Sequence, residues 1–201
     1  MPIARRTSVS DLSSKLIDQG RLQLLDCIGR GSFGAVYRAR DLTGESTSLL
    51  AVKVIPKNCK IHYHWREAAI HGRAHAHPNV ITMCRYFHDQ LFIYIVLEYC
   101  PGGDLWRAII EKKVFRGNDA LVKTVFLQII DGLQYCHDNG IYHRDLKPNN
   151  ILISPDFRKV WLSDFGLSTE ARFSFSFYTG TQQYRSPGTN YLTATQLINL
   201  T

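Results

Sequence analysis

The spacing of hydrophobic positions changes partway along the chain. Leu22 and Leu24 alternate with polar neighbours up to Ile28, a glycine cluster follows, and Ala35-Val-Tyr-Arg-Ala resumes the two-residue step of a half-buried strand. Leu49-Leu-Ala-Val-Lys-Val-Ile reads as a third strand, stopped by Pro56, which has no N–H to give to a ladder. Residues 65–76 carry a helical pattern that ends before His77-Pro78, because the residue before proline is pushed out of the α region. Two more strands are expected at 81–87 and 92–98. Beyond Pro101-Gly-Gly the step lengthens. Leu121, Val125, Phe126, Ile129, Ile130, Leu133 and Cys136 recur every three or four residues, with Asp119 as the expected N-cap and Asn139-Gly140 as a left-handed C-cap. Short strands at 151–153 and 159–162 complete the pattern. It predicts a β-rich half with one inserted helix, a hinge at residues 98–104, and a helical half.

Bulk properties narrow the picture only slightly. A chain of 201 residues, 45% hydrophobic and 20% charged, has globular proportions and excludes a wholly disordered or collagen-like chain. Its longest clean apolar run, Leu91 to Leu97, is too short for a bilayer span, so no membrane partner is expected. A net charge of +7 favours anionic partners. The basic residues are scattered rather than run together, which speaks against nucleic acid as a partner. Cys27, Cys59, Cys84, Cys100 and Cys136 are odd in number and form no C-x-x-C pair, which speaks against a disulfide framework or zinc ribbon. The first residues lack an apolar signal region, so cytoplasm or nucleus is the expected location. Residues 1–15, polar and serine-rich, read as a loose arm.

Chemistry enters with Gly29-Arg30-Gly31-Ser32-Phe33-Gly34-Ala35-Val36. A G-x-G-x-x-G string alone fits a dinucleotide-binding turn, a plain hairpin, or a glycine-rich hairpin whose backbone N–H groups close over phosphates. The dinucleotide reading requires a helix after the glycines, whereas the residues from Ala35 are strand-like. Lys53 lies inside an apolar strand, where its ammonium needs a partner. Ligand phosphates or Glu67 on the following helix can supply one. Farther on stand His143-Arg144-Asp145-Leu146-Lys147-Pro148-Asn149-Asn150 and Asp164-Phe165-Gly166. Each string is short, but four in this order and context form a specific set.

With these motifs the sequence resembles a eukaryotic serine/threonine protein kinase over residues 22–187. The stretches 16–24, Arg66-Glu67 to His77-Pro78, and Ile141 to Asp145 are most similar to the fungal Ran/Ksp-type kinases. The resemblance implies an α+β bilobal fold: a small lobe over 16–97, a hinge over 98–104, a partial large lobe over 105–188 and a non-family tail over 189–201. It also implies ATP and Mg²⁺ as cofactors and proteins bearing Ser or Thr as substrates. Phosphoryl transfer depends on positioning and charge neutralisation rather than covalent chemistry by the protein. On this likeness Lys53 holds the α- and β-phosphates and is steadied by Glu67. Asn150 and Asp164 ligate Mg²⁺, Asp145 orients the substrate hydroxyl and accepts its proton, and Lys147 neutralises the γ-phosphate. Glu98 and Cys100 offer backbone groups to adenine behind which Leu97 stands guard, and Asp104 meets the ribose. Gly29, Arg30, Gly31, Ser32, Phe33, Gly34, Val36, Ala51 and Leu152 complete the nucleotide site.

Several features depart from the family or remain outside it. Ser186-Pro187-Gly188 stands where the family has a small residue, Pro and Glu, and the residues after Gly188 lack the tryptophan-bearing helix that should follow. A reading frame that leaves its parental course near Gly188 is expected. Such a truncated chain is either an active enzyme or a catalytically dead nucleotide-binding or interaction fragment. A missing central helix would leave a face bearing Val125, Ile129 and Leu133 open for self-association. Asn149 replaces a common Glu. His62, His64, His71, His75 and His77 are read as exposed polar side chains rather than zinc ligands. The run Arg172-Phe-Ser-Phe-Ser-Phe-Tyr-Thr179 fits either an activation segment, with Ser174, Ser176 or Thr179 as phosphate sites facing Arg144, or a strand-like edge.

Overall fold

The computed structural model describes residues 11–31, 34–44, 48–57, 61–171 and 179–185. Ser32, Phe33, Cys59, Ser174, Ser176 and the departures from Ser186 onward lie outside them, as does residue 172–178 of the aromatic run. The chain divides into two compact units: Met1–Ala69 with Thr82–Cys100, and Ile70–Ile81 with Pro101–Thr201.

The first unit is a six-stranded antiparallel sheet in the order β1-β2-β3-β4-β6-β5. Its strands are β1 (Leu16–Ile17), β2 (Leu22–Gly31), β3 (Gly34–Asp41), β4 (Leu49–Pro56), β5 (Met83–His88) and β6 (Phe92–Glu98). In β3 the alternation holds, with Ala35, Tyr37 and Ala39 buried. β4 is central, and Ala51 to Ile55 are all buried, including Lys53. Its two faces feed separate clusters, one around Leu22, Leu24, Tyr37 and Val52, the other around Ile55, Ala68, Ile93 and Ile95. β1 was not anticipated, since two residues are too few to show a period. It pairs Leu16 with Gln23 and Ile17 with Leu22, and Leu12 packs on the first cluster. Two ion pairs then join it to the other end of the sheet order, Arg85 to Asp18 at 3.0 Å and Lys15 to Asp89 at 3.6 Å.

Between β4 and β5 runs α1 (Ile61–Ala74), which begins four residues before the apolar pattern and ends two before its expected end. Its first turn is too polar to register as a stripe.

The second unit holds α2 (Leu105–Ile110), α3 (Asp119–Asp138) and a two-stranded ribbon of β7 (Ile151–Ile153) with β8 (Val160–Leu162). The cap of α3 is Asn118, not Asp119: the Asn118 side chain accepts the Leu121 N–H at 3.1 Å, leaving Asp119 as a favourable first-turn charge. The exposed face of α3 also differs from expectation. Val125 is buried, and Ile129 and Leu133 pack on the core, while Val122, Phe126, Leu127 and Ile130 lie open. Two apolar stripes share this helix, and periodicity alone does not say which one meets the core. Among the described residues no helix is long and apolar enough to cross a membrane.

Candidate active site

In the first unit, strand register gathers several of the residues expected at a nucleotide site. Val36 lies opposite Lys53, Ala51 opposite Leu97, and Gly29 opposite Val36. Directly opposed residues share a face, as do residues two apart, so Gly29, Val36, Ala51, Lys53 and Leu97 occupy one face of the sheet. Arg30 pairs with Ala35 and Gly31 with Gly34, making the glycine motif a hairpin. This excludes the dinucleotide alternative, which needs a helix there. A Cβ on Gly34 would overlap the Val54 carbonyl oxygen, so glycine lets β3 run close over β4. Lys53 donates through Nζ to Glu67 Oε1 at 2.5 Å, with both side chains buried. Leu97 is half-buried, and Glu98 donates its N–H to Thr82 O at 3.0 Å. Cys100 is half-buried beyond the end of β6.

In the second unit the loop from Tyr142 to Asn150 is anchored at both ends. Tyr142 and Thr169 exchange backbone bonds, and Ser163 donates both N–H and O–H to Asn150 O at 2.9 and 3.0 Å. The latter places Asn150 beside the residue that precedes Asp164. Asp145 Oδ1 accepts the Thr181 N–H at 2.7 Å and hydroxyl at 2.8 Å, while Oδ2 accepts Lys147 Nζ at 2.8 Å and Asn150 Nδ2 at 3.0 Å. Burial pushes the Asp145 carboxyl up, but the bonds from Lys147 and Thr181 outweigh it and hold it below the ordinary aspartate value. The group is therefore ionised, oriented and next to a cation. A Cβ on Gly180 would strike the Arg144 carbonyl oxygen, so glycine at φ +88° is what lets Thr181 reach Asp145.

Asp164 adopts a left-handed conformation, φ 61° and ψ 72°, and its carboxylate accepts the Gly166 N–H at 3.4 Å. Because Asn150 spends its amide N–H groups on Asp145 O and Oδ2, its amide oxygen is the atom left for a cation. That oxygen and the Asp164 carboxylate are hard donors suited to Mg²⁺, which takes few protein ligands and completes its shell with phosphates and water. Among the described residues no three His, Cys, Asp or Glu side chains form a metal cluster. Asp104 caps α2, its Oδ1 accepting the Arg107 N–H at 2.8 Å while its Oδ2 lies 3.9 Å from the Arg107 Nε. Leu152 stands on β7, bridged to Asp104.

Other contributors were missed. Phe165, 1% exposed, has His71 at 4.8 Å and His143 at 5.0 Å between ring centroids. His71 is therefore buried rather than one of a set of exposed histidines; its Nε2 faces Ile81 O at 2.8 Å. Its position one turn beyond Glu67 was the signal available. His143 accepts the Asp145 N–H through Nδ1 at 3.3 Å, so its proton sits on Nε2, 2.9 Å from Ser163 O. Burial holds the His143 imidazole below its ordinary 6.5. Below pH 6.5 the unfolded chain takes up a proton that the folded chain refuses, so stability is fully present above that pH and falls as pH drops toward the folded value. A melting-temperature series across this range should show the loss, and His143→Phe should flatten it.

This geometry belongs to a recognised class. Residues 22–194 match the protein kinase domain family. The chain is 45% identical over 170 residues to the negative regulator of sexual conjugation and meiosis of Schizosaccharomyces pombe, covering 83% of this chain and 36% of that protein. It is 35% identical over 182 residues to the serine/threonine-protein kinase ksp1 of the same yeast, covering 86% and 38%. It is 38% identical over 148 residues to Aurora/IPL1-related protein kinase 2 of Caenorhabditis elegans, covering 72% and 47%. The chain belongs to the protein kinase family, of the serine/threonine type, with fungal relatives as its sequence motifs indicated. It spans less than half the length of these relatives.

Proposed function

We propose that this chain transfers the γ-phosphoryl group of ATP to Ser or Thr hydroxyls of proteins. The observation that carries this reading is the Asp145 carboxylate, kept ionised by Lys147 and Thr181 and fixed by Asn150. In the proposed reaction Asp145 orients the incoming hydroxyl and takes its proton as the new O–P bond forms and the bond to ADP breaks. Lys147 neutralises charge on the moving group. Lys53, steadied by Glu67, holds the α- and β-phosphates against the glycine hairpin. Asn150 and Asp164 would hold Mg²⁺, which when bound neutralises phosphate oxygens.

Backbone groups of Glu98 and Cys100 and the faces of Ala51 and Leu97, all in the first unit, would receive the adenine. Cys27, Cys84, Cys100 and Cys136 form no disulfide with one another, which supports a reducing location, cytoplasm or nucleus. The open stripe Val122, Phe126, Leu127 and Ile130 supports self-association, which sedimentation velocity would register as a concentration-dependent species.

Thermal denaturation with and without Mg-ATP tests the reading, followed by radiolabel transfer from ATP to a generic basic protein. A raised melting temperature together with transfer is expected. A folded sample that gains no stability from Mg-ATP would refute nucleotide binding. Stabilisation without transfer would favour the second reading, a nucleotide-binding fragment.

A further inference from the structure

Away from the site residues, the second unit gathers cations on two pieces of backbone. The end of α2 and the segment after it carry Arg107, Lys112, Lys113 and Arg116, and the turn between β7 and β8 carries Arg158 and Lys159, all exposed. The two pieces meet where Lys112 Nζ lies 5.1 Å over the Phe157 ring. Lys159 likewise lies 4.8 Å over Trp161. Aromatic contacts of this kind fix the ammonium groups while leaving them accessible.

Both backbones are held firmly. In the turn, Ser154 Oγ donates to Asp156 Oδ1 at 2.5 Å, Lys159 N donates to Ser154 Oγ at 2.9 Å, and Gln128 of α3 donates to Arg158 O at 2.7 Å. In the segment after α2, Lys112 N and Val114 N return to Arg107 O and Ala108 O, Arg116 N returns to Lys113 O, and Val114 and Phe115 pack on the core. Cations presented from pinned backbone lose less freedom on binding than those on loose loops. Six cations stand here against Glu111, Asp156 and the capping Asp104, so the patch is strongly positive.

We propose that this patch docks an acidic segment of a protein substrate, holding it while the hydroxyl is presented elsewhere. The inference rests on the kinase reading for its use, since tethering raises the effective concentration of the hydroxyl. A peptide suits the patch better than nucleic acid. Glu111 and Asp156, interleaved with the cations, would repel an unbroken line of phosphates, whereas a peptide can place its carboxylates selectively.

Fluorescence anisotropy with a labelled Glu-rich peptide tests this, beside a Lys-rich peptide and oligothymidylate. The Glu-rich peptide should bind, more weakly at high salt, and the pair Arg158→Glu/Lys159→Glu should weaken it by roughly tenfold or more. Lys112→Glu/Lys113→Glu should act alike, and Lys123→Glu, a charge reversal on α3, should leave affinity unchanged. Unaltered melting temperatures would show that the variants are folded. Equal binding by all variants, an equal loss in Lys123→Glu, or tighter binding of oligothymidylate would overturn the proposal. The peptide assay needs no ATP, so its failure leaves the kinase reading standing; failure of Mg-ATP to stabilise the same samples sinks the kinase reading instead.

Discussion

Asp145→Asn should lower phosphoryl transfer by about 10²–10⁴-fold while leaving stabilisation by Mg-ATP in place. Asparagine keeps the size of the side chain and can still accept from Thr181. Its amide N–H₂, however, would face donors at Lys147 and Asn150 and cannot take a proton from a substrate hydroxyl. Transfer of label from ATP and melting with Mg-ATP read the two effects separately. Activity within a few-fold of the parent would remove Asp145 from the chemistry. A lost nucleotide response would give it a binding role instead.

The second large effect belongs to Lys53 and Glu67. Both are buried, at 9% and 4% exposure, so removing one charge leaves the other in a low-dielectric interior with its opposite charge gone. Lys53→Met should cost about 3–5 kcal/mol in denaturant unfolding of the first unit. Replacing both, as Lys53→Met/Glu67→Leu, should recover much of that stability, because the double variant buries no lone charge. It should not recover any ATP response, since no ammonium remains for the phosphates. Additive losses would show that each side chain owes its stability to other neighbours.

These expectations began as letters in a row. Strands β2, β3, β4 and β6 announce themselves through alternation or a continuous apolar run, and α3 through its three- and four-residue steps. The glycine string, Lys53, Asp145, Asn150 and Asp164 stand out in the sequence because kinase motifs place particular residue types at fixed offsets. Thr181 reads in the sequence as part of the substrate-binding end of an activation segment, but it lies 36 residues beyond Asp145, and only folding makes it a donor to that carboxylate. His71 was misread as exposed although it lies one turn beyond the buried Glu67, because its residue type alone does not name the neighbour that covers it. The wrong stripe of α3 was expected to lie open for the same reason.

Chemistry and local backbone preference were thus settled by the chain's own order: which groups could carry charge, where strands run, and where helices stop. Tertiary structure alone decided which apolar face is buried, which cap bonds form, and which distant hydroxyl holds the Asp145 carboxylate. Covalent sequence constrains neighbours along the chain, whereas burial and hydrogen bonding depend on groups brought together through space.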